Sequence, residues 1–186
     1  MIQTASSMIQ LGTKAYPFSL IDVISGNIIS FPPNNVIINA IVLMFICNHC
    51  PYVKHINKKL SEISLFYKNK NINFYAINSN DIKKYPEDSP ENMKKIAIKN
   101  NYSFPYLYDE TQKVAKIYKA TCTPDFYIFN KKLLLVYRGQ FDDSRPHNNI
   151  KVTGKSIKNA IENLINGIPI DTNQKPSIGC NIKWKI

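Results

Sequence analysis

The chain has 186 residues, 44% of them hydrophobic, a length that fills one core and leaves little for a second. Its formal net charge of +11 is scattered over lysines such as Lys58, Lys59, Lys83, Lys84, Lys94 and Lys95. With no arginine-rich block, finger spacing or glycine-rich RNA-reading motif, that pattern argues against specific nucleic-acid binding. No apolar run is long enough to span a bilayer, and the start "MIQTASSMIQLGTKAYPF" lacks a basic head before an apolar block. The expectation is therefore a cytoplasmic protein with no membrane partner. In that reducing compartment four cysteines serve better as catalytic or free thiols than as structural staples.

Residues 1–14 read as a loose arm, 15–168 as one domain and 169–186 as a second arm. "FSLIDVISGNIISF" is a hairpin turned at Ser25-Gly26-Asn27, where glycine supplies the backbone angles a tight turn needs. Ile37 to Ile46 is a buried strand, because apolar residues dominate and alternation is weak. Pro51 opens a helix, where its missing N–H costs nothing. Val53, Ile56, Leu60, Ile63 and Phe66 or Tyr67 then recur at helical spacing.

"INFYAINSND" is a second buried strand, and "PENMKKIAIKNN" a short helix after a loop. "FPYLYDE" holds a brief strand. "TQKVAKIYK" is a helix with Val114, Ile117 and Tyr118 inward. "DFYIFNKKLLLVYRG" is a hairpin turned at Asn130-Lys131. "SIKNAIENLINGIPI" is a final helix closed by Gly167 and stopped by Pro169. The order predicts an α/β fold, a central mixed sheet flanked by helices, with an N-terminal β-hairpin.

Cys50 follows the buried strand and begins the helix. Unpaired backbone N–H groups and the helix dipole favour a thiolate there, with His49, Lys54 and His55 near in sequence. A nucleophilic thiol also needs partial exposure. Cys47, three residues earlier, makes a C-x-x-C spacing that suits redox work or half a zinc site. Zinc needs a second close Cys or His pair, which is absent, so no metal and no cofactor are expected. Far away, "YKATCTPDFYIF" carries Thr123-Pro124 at the opening of a strand expected beside the Cys50 strand. A cis peptide there would present the Thr123 backbone to a bound chain or thiol, and Cys122 would lie near Cys50.

The motifs "MFICNHCPYVK", "CTPDFYIFN", "YRGQFDDSRP" and "PSIGC", in that order, resemble the thioredoxin-like superfamily in its redoxin or peroxiredoxin-like branch. The resemblance covers residues 15–166 and implies a thioredoxin-like fold. It puts the attacking cysteine on Cys50, with Pro51-Tyr52 inside the motif, and the family's cis-proline on Pro124. The usual resolving position holds Val53. The proline and threonine that precede a peroxidatic cysteine are replaced by Leu43 and Cys47, and neither Arg138 nor Arg145 falls in a motif as the peroxidatic arginine.

The function implied is a thiol-dependent oxidoreductase in which Cys50 attacks a disulfide or a hydroperoxide. A second thiol then resolves the mixed disulfide or sulfenic acid. Cys47 and Cys122 rank level as resolvers, ahead of Cys180 on its arm, which Trp184 could dock. His49, Thr123 and Pro124 are the expected substrate contacts, and Asp81 a weaker candidate for steering protons. Two alternatives stand: a thiol peroxidase resolved by Cys47, Cys122 or an external thiol, and a non-enzymatic thioredoxin-like module that binds partner chains at the proline edge.

Overall fold

The computed structural model describes residues 3–34 and 38–185. Ile37, the expected first residue of the buried strand, lies outside them. Seven strands form the main sheet: β2 (Phe18–Asp22), β3 (Ile28–Phe31), β4 (Ala40–Phe45), β5 (Ile72–Asn78), β6 (Tyr106–Tyr108), β8 (Asp125–Asn130) and β9 (Leu135–Gly139). Their order is β3-β2-β6-β5-β4-β8-β9, with β4, β5 and β6 parallel and the other pairs antiparallel. β2 and β3 are the expected hairpin, and Gly26 takes the left-handed φ of 78° in its turn.

β4 lies at the middle of the sheet with both neighbours hydrogen-bonded, which is why "AIVLMF" is apolar at every position and fully buried. Its alternate residues feed two cores. Ala40, Val42 and Met44 face helix α1 (Pro51–Tyr67), helix α2 (Pro90–Lys99) and helix α4 (Lys155–Ile165). Ile41, Leu43 and Phe45 face the opposite layer, with Val114 and Ala115 of the short helix α3 (Lys113–Ile117) and with Tyr118. The sheet is thus covered on both faces, the thioredoxin-like α/β arrangement.

α1 buries Val53, Ile56, Leu60, Ile63 and Tyr67, while Phe66 is exposed. In α3 the inward residues are Val114 and Ala115; Ile117, expected inward, is exposed. One turn of helix is too short for a period of 3.6 to fix its inward face.

Both arms are ordered by each other. β1 (Gln3–Ala5), β10 (Ile178–Asn181) and β7 (Cys122–Thr123) form a second, three-stranded antiparallel sheet with β10 in the middle. Gly179 permits that pairing, since a Cβ there would stand 2.0 Å from the Thr123 carbonyl oxygen. The N-terminal arm, read from sequence as loose, is therefore paired backbone to backbone with the C-terminal one.

Candidate active site

Cys50 is the N-cap of α1, in extended conformation, with Pro51 in the first turn. Its Sγ lies 2.7 Å from Cys180 Sγ and 3.2 Å from the Thr123 carbonyl oxygen. Cys47 Sγ lies 3.2 Å from Thr123 Oγ1. The Thr123–Pro124 peptide is cis, as the sequence suggested. Three sulfurs and one threonine therefore meet where α1 begins, beneath β10.

Cys50 is 0% exposed, against the partial exposure expected of a nucleophilic thiol. The cause is the tail: β10 lays Cys180 directly over it. Cys50 belongs to the apolar core cluster on the α1 side of the sheet, but two thiols and a carbonyl also reach its sulfur. Cys50 is held well below the ordinary thiol range, first by its hydrogen bond with Cys180, then by Cys47, with burial opposing. The backbone amides of Val53 and Cys180 contribute less. The helix start is thus a secondary cause, and neighbouring thiols the main one. The Thr123 carbonyl can only accept, so it favours the protonated form, but two S–H donors outweigh it.

The neighbours move the other way. Cys180 is raised by its bond to Cys50 and then by burial. Cys47 is raised by burial, then by Cys50 and by the charge of Asp88. Among these three sulfurs Cys50 is the one placed to carry the negative charge. Cys122, expected beside it, is buried with its Sγ 3.9 Å from the Pro124 carbonyl oxygen, and burial followed by the Asp125 charge raises its thiol.

The loop between the two cysteines is clamped from the far side by Asp88, a residue of the segment the sequence predicts only as a loop. The Asn48 backbone N–H donates to Asp88 Oδ1 at 2.7 Å, and His49 Nδ1 and Asn80 Nδ2 donate to Oδ2 at 2.6 and 2.8 Å. His49 stacks on Tyr85, with ring centroids 5.4 Å apart. Cys47, His49 and Asp88 each offer a ligand atom within 4.8 Å of the others. Both oxygens of Asp88 are already committed, so the trio reads as a loop clamp. His55 Nε2 pairs with Ser144 Oγ at 2.7 Å.

Arg138 and Arg145 are taken up by Gln174, and by Gln140 with the Asp142 and Ser144 carbonyls. Asp81 is buried, and its backbone N–H donates to the Lys183 carbonyl, which ties it to the tail. Trp184 is 39% exposed, with Lys116 Nζ 5.8 Å from its ring centre, and Lys185 Nζ donates to the Glu110 carbonyl at 2.6 Å; buried Ile182 and the backbone add to the docking of the arm.

A low-lying thiol at the start of a helix, beside a cis-proline strand of a two-faced mixed sheet, defines a thioredoxin-like thiol oxidoreductase. Residues 11–138 match the AhpC/TSA family, and the chain belongs to it. A crystal structure of an uncharacterized conserved protein from Geobacillus kaustophilus is 56% identical, with TM-score 0.96, covering 100% of this chain and 97% of that one. A hypothetical protein from Sinorhizobium meliloti 1021 is 41% identical, with TM-score 0.94 and 98% of both chains covered. A peroxidoxin from Mycobacterium tuberculosis shares the fold at 13% identity and TM-score 0.62, over 84% of this chain and 96% of that one. No curated protein matches. The family match ends at Arg138, so β10 and Cys180 lie beyond it.

Proposed function

We propose that Cys50 is the attacking thiolate and Cys180 the thiol that resolves it, so that each catalytic cycle passes through a Cys50–Cys180 disulfide. The reading rests on one observation, the 2.7 Å between their sulfurs. A disulfide bond is about 2.05 Å long, so little motion separates contact from bond. The opposite shifts of the two thiols support the assignment: one sulfur is kept charged by the proton of the other.

With a disulfide as oxidant, Cys50 sulfur attacks one sulfur and releases a thiolate. Cys180 then attacks Cys50 sulfur and releases the second thiol, so the substrate gains the two electrons the protein loses. With a hydroperoxide, Cys50 takes the terminal oxygen as a sulfenic acid and an alcohol leaves. Attack by Cys180 then forms the S–S bond and expels the oxygen as water. An external thiol pair returns both cysteines to the reduced state.

Mass mapping of the full chain after one equivalent of oxidant tests this. A Cys50–Cys180 crosslink is the expected product. A Cys47–Cys50 or Cys50–Cys122 crosslink, or none containing Cys50, overturns it.

A further inference from the structure

The backbone edge of β7 is the place where an extended chain could lie beside Thr123 and bring a cysteine to Cys50, and β10 already lies there. Cys180 pairs with Thr123 and Asn181 with Cys122, and the Ile182 N–H donates to the Thr121 carbonyl at 3.0 Å. A polypeptide that adds a strand to a sheet edge needs those same backbone groups. The occupant is held from both sides, because β1 pairs with its other edge. It is also tied down further along. Gln112 Nε2 donates to the Lys183 carbonyl at 2.8 Å, and Gln112 Oε1 accepts the Lys185 N–H at 2.9 Å.

Resting on the reading of Cys50 and Cys180 as the exchanging pair, we infer that β10 occupies the seat of an incoming polypeptide, so the pair exchanges electrons with small thiols and disulfides, and with polypeptides only once β10 is detached. A small molecule needs a local opening around one sulfur, the low-cost end of the range of native-state openings. A polypeptide needs the ladder from Ile178 to Ile182 broken and replaced. Beside that ladder, Tyr52, Pro124, Arg145 and Ile178 border a cavity of about 10 Å³, room for a molecule the size of water.

The exchange balances without further reactants. The Cys50 thiolate attacks the small disulfide and one thiolate leaves. Cys180 attacks the Cys50 sulfur, the mixed disulfide breaks, and the Cys180 proton leaves with the second sulfur as a thiol. The protein is oxidised by two electrons and the disulfide is reduced by two.

The test uses pre-reduced full-length protein, with dithiobis(nitrobenzoate) as the small disulfide and insulin as the polypeptide one. Wild type is expected to react far faster with the former. Gly179→Val drives a side chain against the Thr123 carbonyl, and Gln112→Ala removes two of the hydrogen bonds that fasten the tail. Each is expected to raise the insulin rate relative to the small-disulfide rate by about tenfold or more, the effect of roughly 1.4 kcal/mol of lost docking. If Gly179→Val does not fold, Gln112→Ala carries the comparison. A wild type that consumes both disulfides equally fast, or a rate ratio unmoved in the folded variants, overturns the inference. Cys50→Ser separates the two claims: retained reaction with the small disulfide sinks the reading of Cys50, whereas loss of both reactions in Cys50→Ser, with a rate ratio unmoved in Gly179→Val and Gln112→Ala, sinks the inference about β10 alone.

Discussion

Asp88 Oδ1 accepts the backbone N–H of Asn48 at 2.7 Å, so a carboxylate forty positions away fixes the loop that separates Cys47 from Cys50. Asp88 is 0% exposed, yet its acidity is increased: burial pushes its pKa up, and the hydrogen bonds from His49 and Asn80, the His49 charge and the Asn48 amide together outweigh burial. Removing it strands three donors beneath the reactive sulfurs.

Asp88→Ala is expected to cost about 3–5 kcal/mol, the scale for breaking a buried, hydrogen-bonded ionic group. Its contribution also depends on pH. A carboxyl whose folded pKa is depressed stabilises fully above its unfolded value near 3.9 and loses that contribution as pH falls through the folded value. Urea unfolding at pH 7 and across the acid limb measures both, and the variant should lose part of the wild-type acid sensitivity. An Asp88→Ala protein as stable as wild type at pH 7 would remove the clamp from the account.

The ionisation of Cys50 depends more on Cys180 than on the helix it caps, because the Cys180 hydrogen bond is the largest cause lowering it. Cys180→Ala is therefore expected to raise the Cys50 thiol by about one pKa unit or more, and Cys47→Ala by less. Thiolate absorbance near 240 nm, titrated in each variant, reads the shift. Equal midpoints in wild type and Cys180→Ala would return the main effect to the helix dipole.

The strand–helix junction was legible because several independent signals agree there. The apolar run Ala40–Phe45, Pro51 at a helix start and the recurrence from Val53 to Ile63 all point one way, and Thr123-Pro124 marks the strand beside it. The tail was not legible. β10 is four residues, "IGCN", without alternation or length, and its active-site contact is 130 positions back along the chain. The motif "PSIGC" marks Cys180 but not its place in the fold, and the glycine before it acquires meaning only when Thr123 is placed against it. Asp88 was missed for a related reason. It sits in "PEDSP", where an acidic residue before a helix is ordinary, and its partners lie elsewhere in the fold.

Gly139 ends β9 at a φ of 129°, and a Cβ there would stand 2.0 Å from the Lys175 carbonyl oxygen. The segment it would push away leads directly to Ser177, whose hydroxyl donates to the Gly139 carbonyl at 2.8 Å, and on into β10. Gly139→Ala is expected to destabilise the protein by about 1–3 kcal/mol through backbone strain. It should also speed amide hydrogen exchange in residues 175–182 more than in β4. Uniform acceleration in both segments would show that the strain is not focused on the tail.

Asp125 adjoins Pro124 at the start of β8, with no exposure; the Tyr127 hydroxyl donates to its Oδ2 at 2.8 Å, and the Phe126 backbone amide also reaches the carboxyl. Burial raises its pKa to about 8, with the Tyr127 bond opposing. The folded protein therefore keeps a proton there that the unfolded chain gives up near pH 4. Between those values the native state binds more protons than the unfolded state, so stability falls as pH rises, by at most about 1.4 kcal/mol per pH unit, and levels off above the folded value. Asp125→Asn keeps the acceptor for Tyr127 and cannot ionise. Thermal melts from pH 4.5 to 8 should show wild type losing stability with rising pH relative to the variant, the two converging at the acid end. Because histidines and other groups titrate alike in both proteins, the difference between the curves isolates residue 125. Parallel curves would mean that this carboxyl is ionised in the fold.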